Sequence, residues 1–543
     1  MLVTESTKTA PRAAVANDNL DVVIVGAGFG GMYMTYKLRE AGFSVQGIEA
    51  GYDVGGTWFW NRYPGARCDI PSLLYSYTFS NELADQWKWS EKYAPQPEIL
   101  DYAGHVADRF NLRQHYVFET KVISAKFDES KSRWTIQTDR GDVFTARHCV
   151  MATGCLSVPK APDFKGADTF KGESHITGRW PHEGVDFKNK RVAVIGTGSS
   201  AIQSTPIIAA DAAEVFIFQR TPNFSLPAKN RPITPEELAE FKASYADYVT
   251  ALRAGMSIIP VSPKDFVPSD AELAALAEAL WDGNGLLSLV AFPNLVRNPH
   301  VNEFAANYVR DKIRQAVKDP ELAEKLVPKD YPIGSKRACV DTNYYDCFNK
   351  DHVHLIDLKE TPITEITETG VKTSAAEFAV DMIVYATGFD AMTGALLNID
   401  IRGRDNVSLQ DMWAEGPKTY LGLQVVGFPN LFTVTGPGSP SVLSNMLNSI
   451  ETHVDWIFEA ISNLRDKQLA VMEPTSSAQE DWVQHVNDEA DQTLYPLANS
   501  WYIGANVPGK PRVFMPYVGE NYKQRIDAIV AEGYKGFSLS AAS

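Results

Sequence analysis

The sequence predicts an α/β fold built on two βαβ units, with a helical insertion in the second. Three observations predict it. A glycine-rich string follows an apolar strand near residue 26. A second does so near residue 196. Between 231 and 330 the texture turns helical.

The first string is "LDVVIVGAGFGGMYMTYKLREAGFSVQGIEAG". Residues 20–25 read as a buried strand. Gly26, Gly28 and Gly31 follow in G-x-G-x-x-G spacing, a helix runs to about Arg39, and a second strand ends at Glu49. Gly26 permits the tight turn, Gly28 lets backbone approach a pyrophosphate, and Gly31 lets helix and sheet pack closely. Glu49 stands where an acid binds ribose hydroxyls. A lone glycine string matches by chance; strand, helix, strand and acid in this order point to a dinucleotide.

The second string, "KRVAVIGTGSSAIQSTPIIAADAAEVFIFQRT", repeats the plan with Gly196, Gly198 and Ala201. Its second strand ends in Gln219-Arg220-Thr221 instead of an acid. Arginine there suits a 2′-phosphate, so this half is expected to take NADPH in preference to NADH. The plain alternative is a surface arginine after a strand. The fold class is therefore α/β, with two dinucleotide-binding (Rossmann-like) domains and a helical insertion in the second. A nucleotide that stays and one that exchanges describe a flavoprotein with a nicotinamide donor.

The strings "CVMATG" and "IVYATGFD" read as points where the chain leaves the first domain and returns. The expected bounds are 1–155 and 390–543 for the FAD domain, and 156–230 and 331–389 for the NADPH domain. Residues 231–330 form the insertion, with helices starting near Pro235 and Asp270.

Composition narrows the function. A net charge of −16 excludes bulk attraction to nucleic acid or an anionic membrane. The five cysteines form no C-x-x-C pair, which fits reduced cytoplasmic thiols. His352 and His354 make an "HVH" pair without a third ligand, so no metal is expected. The first nineteen residues lack a signal-peptide core, no run reaches the roughly 18 apolar residues of a membrane span, and the carboxy end carries no hydrophobic anchor. A cytoplasmic monomer is expected.

The string "GGTWFWNRYPGARCD" follows the ribose acid. Trp58 stands where a disulfide reductase would need a cysteine, and Cys68 has no local partner. Trp58, Phe59, Trp60 and Tyr63 are expected to form a dry wall beside the flavin; an aromatic core cluster is the plainer alternative. Asp69 needs a partner if buried. The "SKRACV" segment offers Lys336 and Arg337, which point different ways on an extended chain.

Together these strings resemble the Baeyer–Villiger flavoprotein monooxygenases (class B), similar to phenylacetone and cyclohexanone monooxygenases. The resemblance also rests on "FQRTPNF", "YPIGSKR", "TYLGL", "GPGSPSVLSNM" and "SWYIGANVPGKPRVFMPY", and covers essentially the whole chain. It implies FAD, NADPH/NADP+, a ketone and O2, with ester or lactone formed through a C4a-peroxyflavin. By resemblance Arg337 is the catalytic arginine and Asp69 its partner. Lys336, Arg220 and Thr221 would hold the NADPH phosphate, and Trp501 would close over the nicotinamide nucleotide. Gly198 to Ser204, with Ser199, Ser200, Ala201 and Gln203 among them, would line its pyrophosphate, and Gly196 opens the same site. Glu49, Thr57, Trp58, Tyr75, Val122 and Met446 match FAD-contacting positions. The loop "GPGSPSVLSNMLNS" is expected to shape the substrate pocket.

The family fingerprint F-x-G-x-x-x-H-x-x-x-W-P is matched by Phe170, Gly172, Trp180 and Pro181. Ile176 holds the histidine place, and His175 lies one residue early. In the family this segment links the two nucleotide domains, so the departure touches domain movement more than chemistry. An N- or S-oxygenating flavin monooxygenase is the alternative enzyme. A flavin-binding redox sensor without catalysis is the alternative class.

Overall fold

The computed structural model describes residues 14–256, 263, 266–281 and 285–541. Residues 1–13 of the polar N-terminal stretch lie outside the described residues, as do Ala542 and Ser543 at the carboxy end. So do 257–262, 264–265 and 282–284 of the insertion.

Two sheets carry the two glycine strings. The eight-stranded sheet runs in the order Asp400–Arg402, Val122–Asp128, Arg133–Thr138, Val143–Met151, Ala16–Val25, Val45–Ile48, Tyr116–Val117, with Leu431–Thr433 also paired to Val143–Met151. The five-stranded sheet is all parallel: Val353–Asp357, Glu214–Gln219, Arg191–Ile195, Met382–Tyr385, Glu173–Ile176. Its central strands are apolar runs buried on both faces, as a helix-covered parallel sheet requires. The chain passes from the first sheet to the second after Met151 and back after Tyr385.

The two glycine turns are built alike. Helix Phe29–Glu40 starts directly after Gly28, and helix Ser199–Asp211 directly after Gly198. Gly26 has φ +107°, and a Cβ there would lie 2.5 Å from the Ala152 carbonyl oxygen. Gly196 has φ +120°, and a Cβ there would lie 2.4 Å from the Ala386 carbonyl oxygen. The two "ATG" strings are thus the walls that force glycine at the turns. At Gly31 a Cβ would meet the Gly26 oxygen at 1.8 Å, so helix and turn touch backbone to backbone.

Between strands Ser225–Pro227 and Cys339–Asp341 lie the helices of the insertion. Helix Pro235–Arg253 starts at a capping box of Thr234 and Glu237, and helix Asp270–Trp281 starts at Asp270. The fingerprint contributes the edge strand Glu173–Ile176, in register His175 to Val384 and Ile176 to Tyr385. Side chains alternate along a strand. His175 packs its ring 5.3 Å from Trp180, while Ile176 joins the apolar cluster of Tyr385 on the opposite face. His175 therefore does not occupy the space of Ile176.

Candidate active site

Both glycine turns open into one cavity of about 1010 Å³, at the upper end for a small-molecule site. Gly26, Gly28, Glu49, Thr57, Trp58, Asp69, Tyr75, Val122 and Met446 line it from the first side. Gly196, Gly198, Ser199, Ser200, Gln203, Arg220, Thr221, Lys336, Arg337 and Trp501 line it from the second. Gly31, Ala201 and Ser204 do not reach it. Ala201 and Ser204 are fully buried in the helix, and the Ser204 hydroxyl donates to the Ala201 carbonyl at 3.3 Å. Their part is packing. Phe59 is also turned away from the cavity: it is buried against Tyr52 and His182, while Trp58, Trp60 and Tyr63 form the aromatic wall.

Glu49 directly follows the second strand of the first unit, Val45–Ile48, and is buried. Its carboxylate accepts from the Ala27 and Gly51 backbone N–H groups, each at 2.7 Å. Burial pushes its pKa up, against these bonds. Trp58 lies in the short helix Thr57–Trp60 and donates from its indole to the Tyr75 hydroxyl at 3.1 Å.

Arg337 and Asp69 meet across 268 residues. The guanidinium donates from Nε to Oδ2 at 2.9 Å and from Nη2 to Oδ1 at 2.8 Å. Nη1 donates to the Val442 carbonyl at 2.8 Å. Burial opposes the charge on Arg337, but Asp69 outweighs burial and raises its pKa above the ordinary value. The cation is therefore fixed in charge and direction. Lys336 points away from it, with its ammonium 4.5 Å from the centre of the Tyr331 ring. Burial, then the Arg220 guanidinium, hold its pKa below the usual range.

The aromatic loop also joins the two sides. The Tyr63 hydroxyl donates to Gln203 Oε1 at 2.8 Å, and Gln203 Nε2 donates to the Arg67 carbonyl at 3.1 Å. From the fingerprint, the Arg179 guanidinium lies 4.4 Å over the Trp60 ring.

Several groups of the site were given no individual role from the sequence. Lys160, Arg179 and the Thr387-Gly388 turn line the cavity. Tyr502 is buried beside Arg337; burial, against Arg337, pushes its pKa up to about 12. Ser441, at φ +42°, precedes the Val442 carbonyl that receives Arg337. His352 and His354 have other partners: His352 Nε2 lies 3.0 Å from the Ala209 carbonyl, and His354 stacks on Phe216.

A family model described as "Pyridine nucleotide-disulphide oxidoreductase" matches residues 23–258. A "Baeyer-Villiger monooxygenase" of Pseudooceanicola batsensis is 41% identical, over 98% of this chain and 97% of its own. The chain belongs to the Baeyer–Villiger monooxygenase family. The 2-oxo-Δ(3)-4,5,5-trimethylcyclopentenylacetyl-CoA monooxygenase of Pseudomonas putida is 42% identical, over 96% of this chain and 98% of its own. A solved structure titled "Oxidized steroid monooxygenase bound to NADP" superposes with a TM-score of 0.91 at 48% identity, covering 96% of this chain and 99% of that one.

The word "disulphide" in the family model does not carry over to this Baeyer–Villiger monooxygenase. Its five cysteines are buried free thiols. Burial, with Asp69, raises the Cys68 pKa far above the range of a reactive thiolate.

Proposed function

We propose that the protein is an NADPH- and O2-dependent flavin monooxygenase that inserts one oxygen atom beside a ketone carbonyl to give an ester or lactone. One observation carries the reading. A half-buried, doubly hydrogen-bonded Arg337–Asp69 pair stands in the wall of a cavity shared by two dinucleotide turns.

The residues fit FAD and NADPH. Gly28 and Gly198 open the starts of two helices to the cavity, and a Cβ on Gly198 would meet no protein atom within 4 Å. Helix starts of this kind receive pyrophosphates. Glu49 faces the first site with its carboxylate already oriented by backbone. Arg220, Thr221 and Lys336 offer cationic and hydroxyl groups to a 2′-phosphate at the second. When bound, NADPH supplies the hydride and FAD the activated oxygen.

This chain's own residues do the rest. Arg337 presents a permanent cation to the negative charge that develops on the oxygen donor and on the carbonyl adduct. It gives up no proton, because Asp69 holds its charge. Asp69 and the Val442 carbonyl aim the guanidinium. Trp58, Trp60, Tyr63 and Trp501 keep water from the site. The loop of Val442, Ser444 and Met446 borders the cavity and is proposed to shape the ketone pocket.

The domain bounds given above belong to the same reading. Strands from 390–543 in the first sheet and from 331–389 in the second support them. A monomeric state and a cytoplasmic location belong to the same reading; buried free thiols support a reducing compartment. No described helix is long and apolar enough to cross a membrane. A panel of cyclic, linear and aryl ketones with product identification tests the function. Ester or lactone supports it. N-oxide or sulfoxide without any ester would favour heteroatom oxygenation.

A further inference from the structure

Lys160 is a cation of the cavity wall that neither glycine motif explains. Its backbone is tied to the second sheet. The Lys160 N–H donates to the Gly388 carbonyl at 2.9 Å, and its own carbonyl accepts from Thr387 Oγ1 at 3.3 Å. Its ammonium reaches to another part of the chain and donates to the Asn506 carbonyl.

Asn506 lies five residues after Trp501. Its side-chain amide returns a bond to the Phe389 carbonyl at 2.6 Å. Lys510 closes the same segment, donating to Asp390 at 2.6 Å and to the Ala391 carbonyl at 2.8 Å. The segment carrying Trp501 is therefore pinned to the turn at 387–391 by Lys160, Asn506 and Lys510.

The two lysines differ in their electrostatics. Lys510 is paired with Asp390. Lys160 donates to a neutral carbonyl and faces Arg220. Burial, then Arg220, lower its pKa, and Asp390 and Asp163 oppose this more weakly. On Lys336 the same two causes act in the same order, and the nearby acid Asp330 is taken by Lys359. Lys160, Lys336 and Arg220 all line this one cavity. An ammonium has three donors. One from Lys160 goes to Asn506, and the residue still lines the cavity. The arrangement suits a phosphomonoester, with a charge near −2 and several strong acceptor oxygens.

We propose that Lys160 bridges the 2′-phosphate of NADPH and the Asn506 carbonyl, so that the phosphate also orders the wall that carries Trp501. The inference rests on the NADPH reading above. Lys160 is a positioning residue. Its consequence is that donor preference is expressed in the yield of oxygenated product per reduced nucleotide, in addition to affinity.

The test uses the FAD-loaded enzyme with a ketone it accepts, at saturating NADPH or NADH. Ester formed per nucleotide consumed, and hydrogen peroxide released, are measured for both donors. In the unsubstituted enzyme NADPH gives the higher yield. Lys160→Met keeps the length of the side chain and removes the ammonium. It should bring the NADPH yield down to the NADH level, a fall of roughly tenfold if one charge-assisted contact is lost. Lys160→Arg should restore most of the gap and shows that the site folds.

Three results with Lys160→Met would overturn the proposal. Lys160→Met could lower both yields in parallel, which marks a structural prop. It could raise the KM for NADPH with the yield intact, which marks an anchor alone. It could change nothing. An unsubstituted enzyme that uses NADH as well as NADPH would overturn the phosphate assignment itself, and the inference with it.

Discussion

Arg337 grips Asp69 through two parallel hydrogen bonds of 2.9 and 2.8 Å, and its third nitrogen is held by the Val442 carbonyl. Lysine cannot reproduce this fork. In Arg337→Lys, flavin reduction by NADPH should persist, while ester falls and hydrogen peroxide rises. Loss of one oxyanion-type donor costs roughly 3–4 kcal/mol. Stopped-flow reduction together with product yield checks it. An unchanged ester yield would remove Arg337 from the chemistry.

Arg220→Ala should raise the KM for NADPH far more than that for NADH, because only NADPH carries the 2′-phosphate. A charge-assisted contact is worth about 1.5–3 kcal/mol, or roughly ten- to hundredfold. Equal losses with both donors would make Arg220 a structural residue.

Two glycines separate folding from binding. Gly198 has φ −84°, and its Cβ would point into open space. Gly198→Ala should keep the thermal midpoint and weaken NADPH binding. Gly31→Ala puts a Cβ 1.8 Å from the Gly26 oxygen and should destabilise the fold. Melting curves and nucleotide titrations on both variants check the contrast. A Gly198→Ala protein with full NADPH affinity would show that the pyrophosphate lies elsewhere.

Glu451 gives a pH prediction. It sits in helix Met446–Asp466, whose first residue lines the cavity. Its carboxylate accepts from the Thr78 N–H at 2.7 Å, the Thr78 hydroxyl at 2.5 Å and the Phe79 N–H at 3.0 Å. Burial nevertheless pushes its pKa up to about 7 from 4.5. The folded state thus keeps this proton where the unfolded state has lost it. The contribution is full below pH 4.5 and is lost as pH rises through about 7. The shift corresponds to roughly 3 kcal/mol. Glu451→Gln should therefore gain in thermal midpoint relative to the parent as pH goes from 5 to 8. A constant difference across that range would contradict the assignment.

Ile176→His places a polar ring in the apolar cluster of Tyr385, at a cost of roughly 1–3 kcal/mol if unpartnered. The parent is expected to oxygenate without a histidine there. The substitution should alter rates of domain closure or NADP+ release and leave the product unchanged. Yield per NADPH with one good ketone checks it. A parent that makes only hydrogen peroxide, with ester restored in Ile176→His, would show that the histidine is needed.

The two glycine turns were readable because their code is local: each glycine answers a contact made within one βαβ unit or with the strand beside it. The charge of Asp69 pointed to a cation in the Lys336-Arg337 segment, and the family resemblance singled out Arg337 as that partner. What the sequence concealed depends on distant packing. Lys160 meets Asn506 across 346 residues, and no spacing rule connects them. Phe59 departs from the expected wall because the four aromatic residues within 58–63 turn to different sides of a short helix and loop. Ala201 and Ser204 stand apart from the cavity because the helix turns its third and sixth residues inward.

The central claim is oxygen insertion next to a ketone carbonyl, and an isotope experiment tests it most directly. The FAD-loaded enzyme is supplied with NADPH, ¹⁸O₂ and an accepted cyclic ketone, and the product is analysed by mass spectrometry. The account predicts a lactone with one ¹⁸O in the ring and an unlabelled carbonyl. Hydrogen peroxide alone across the ketone panel, or label only in a nitrogen or sulfur oxide, would contradict it.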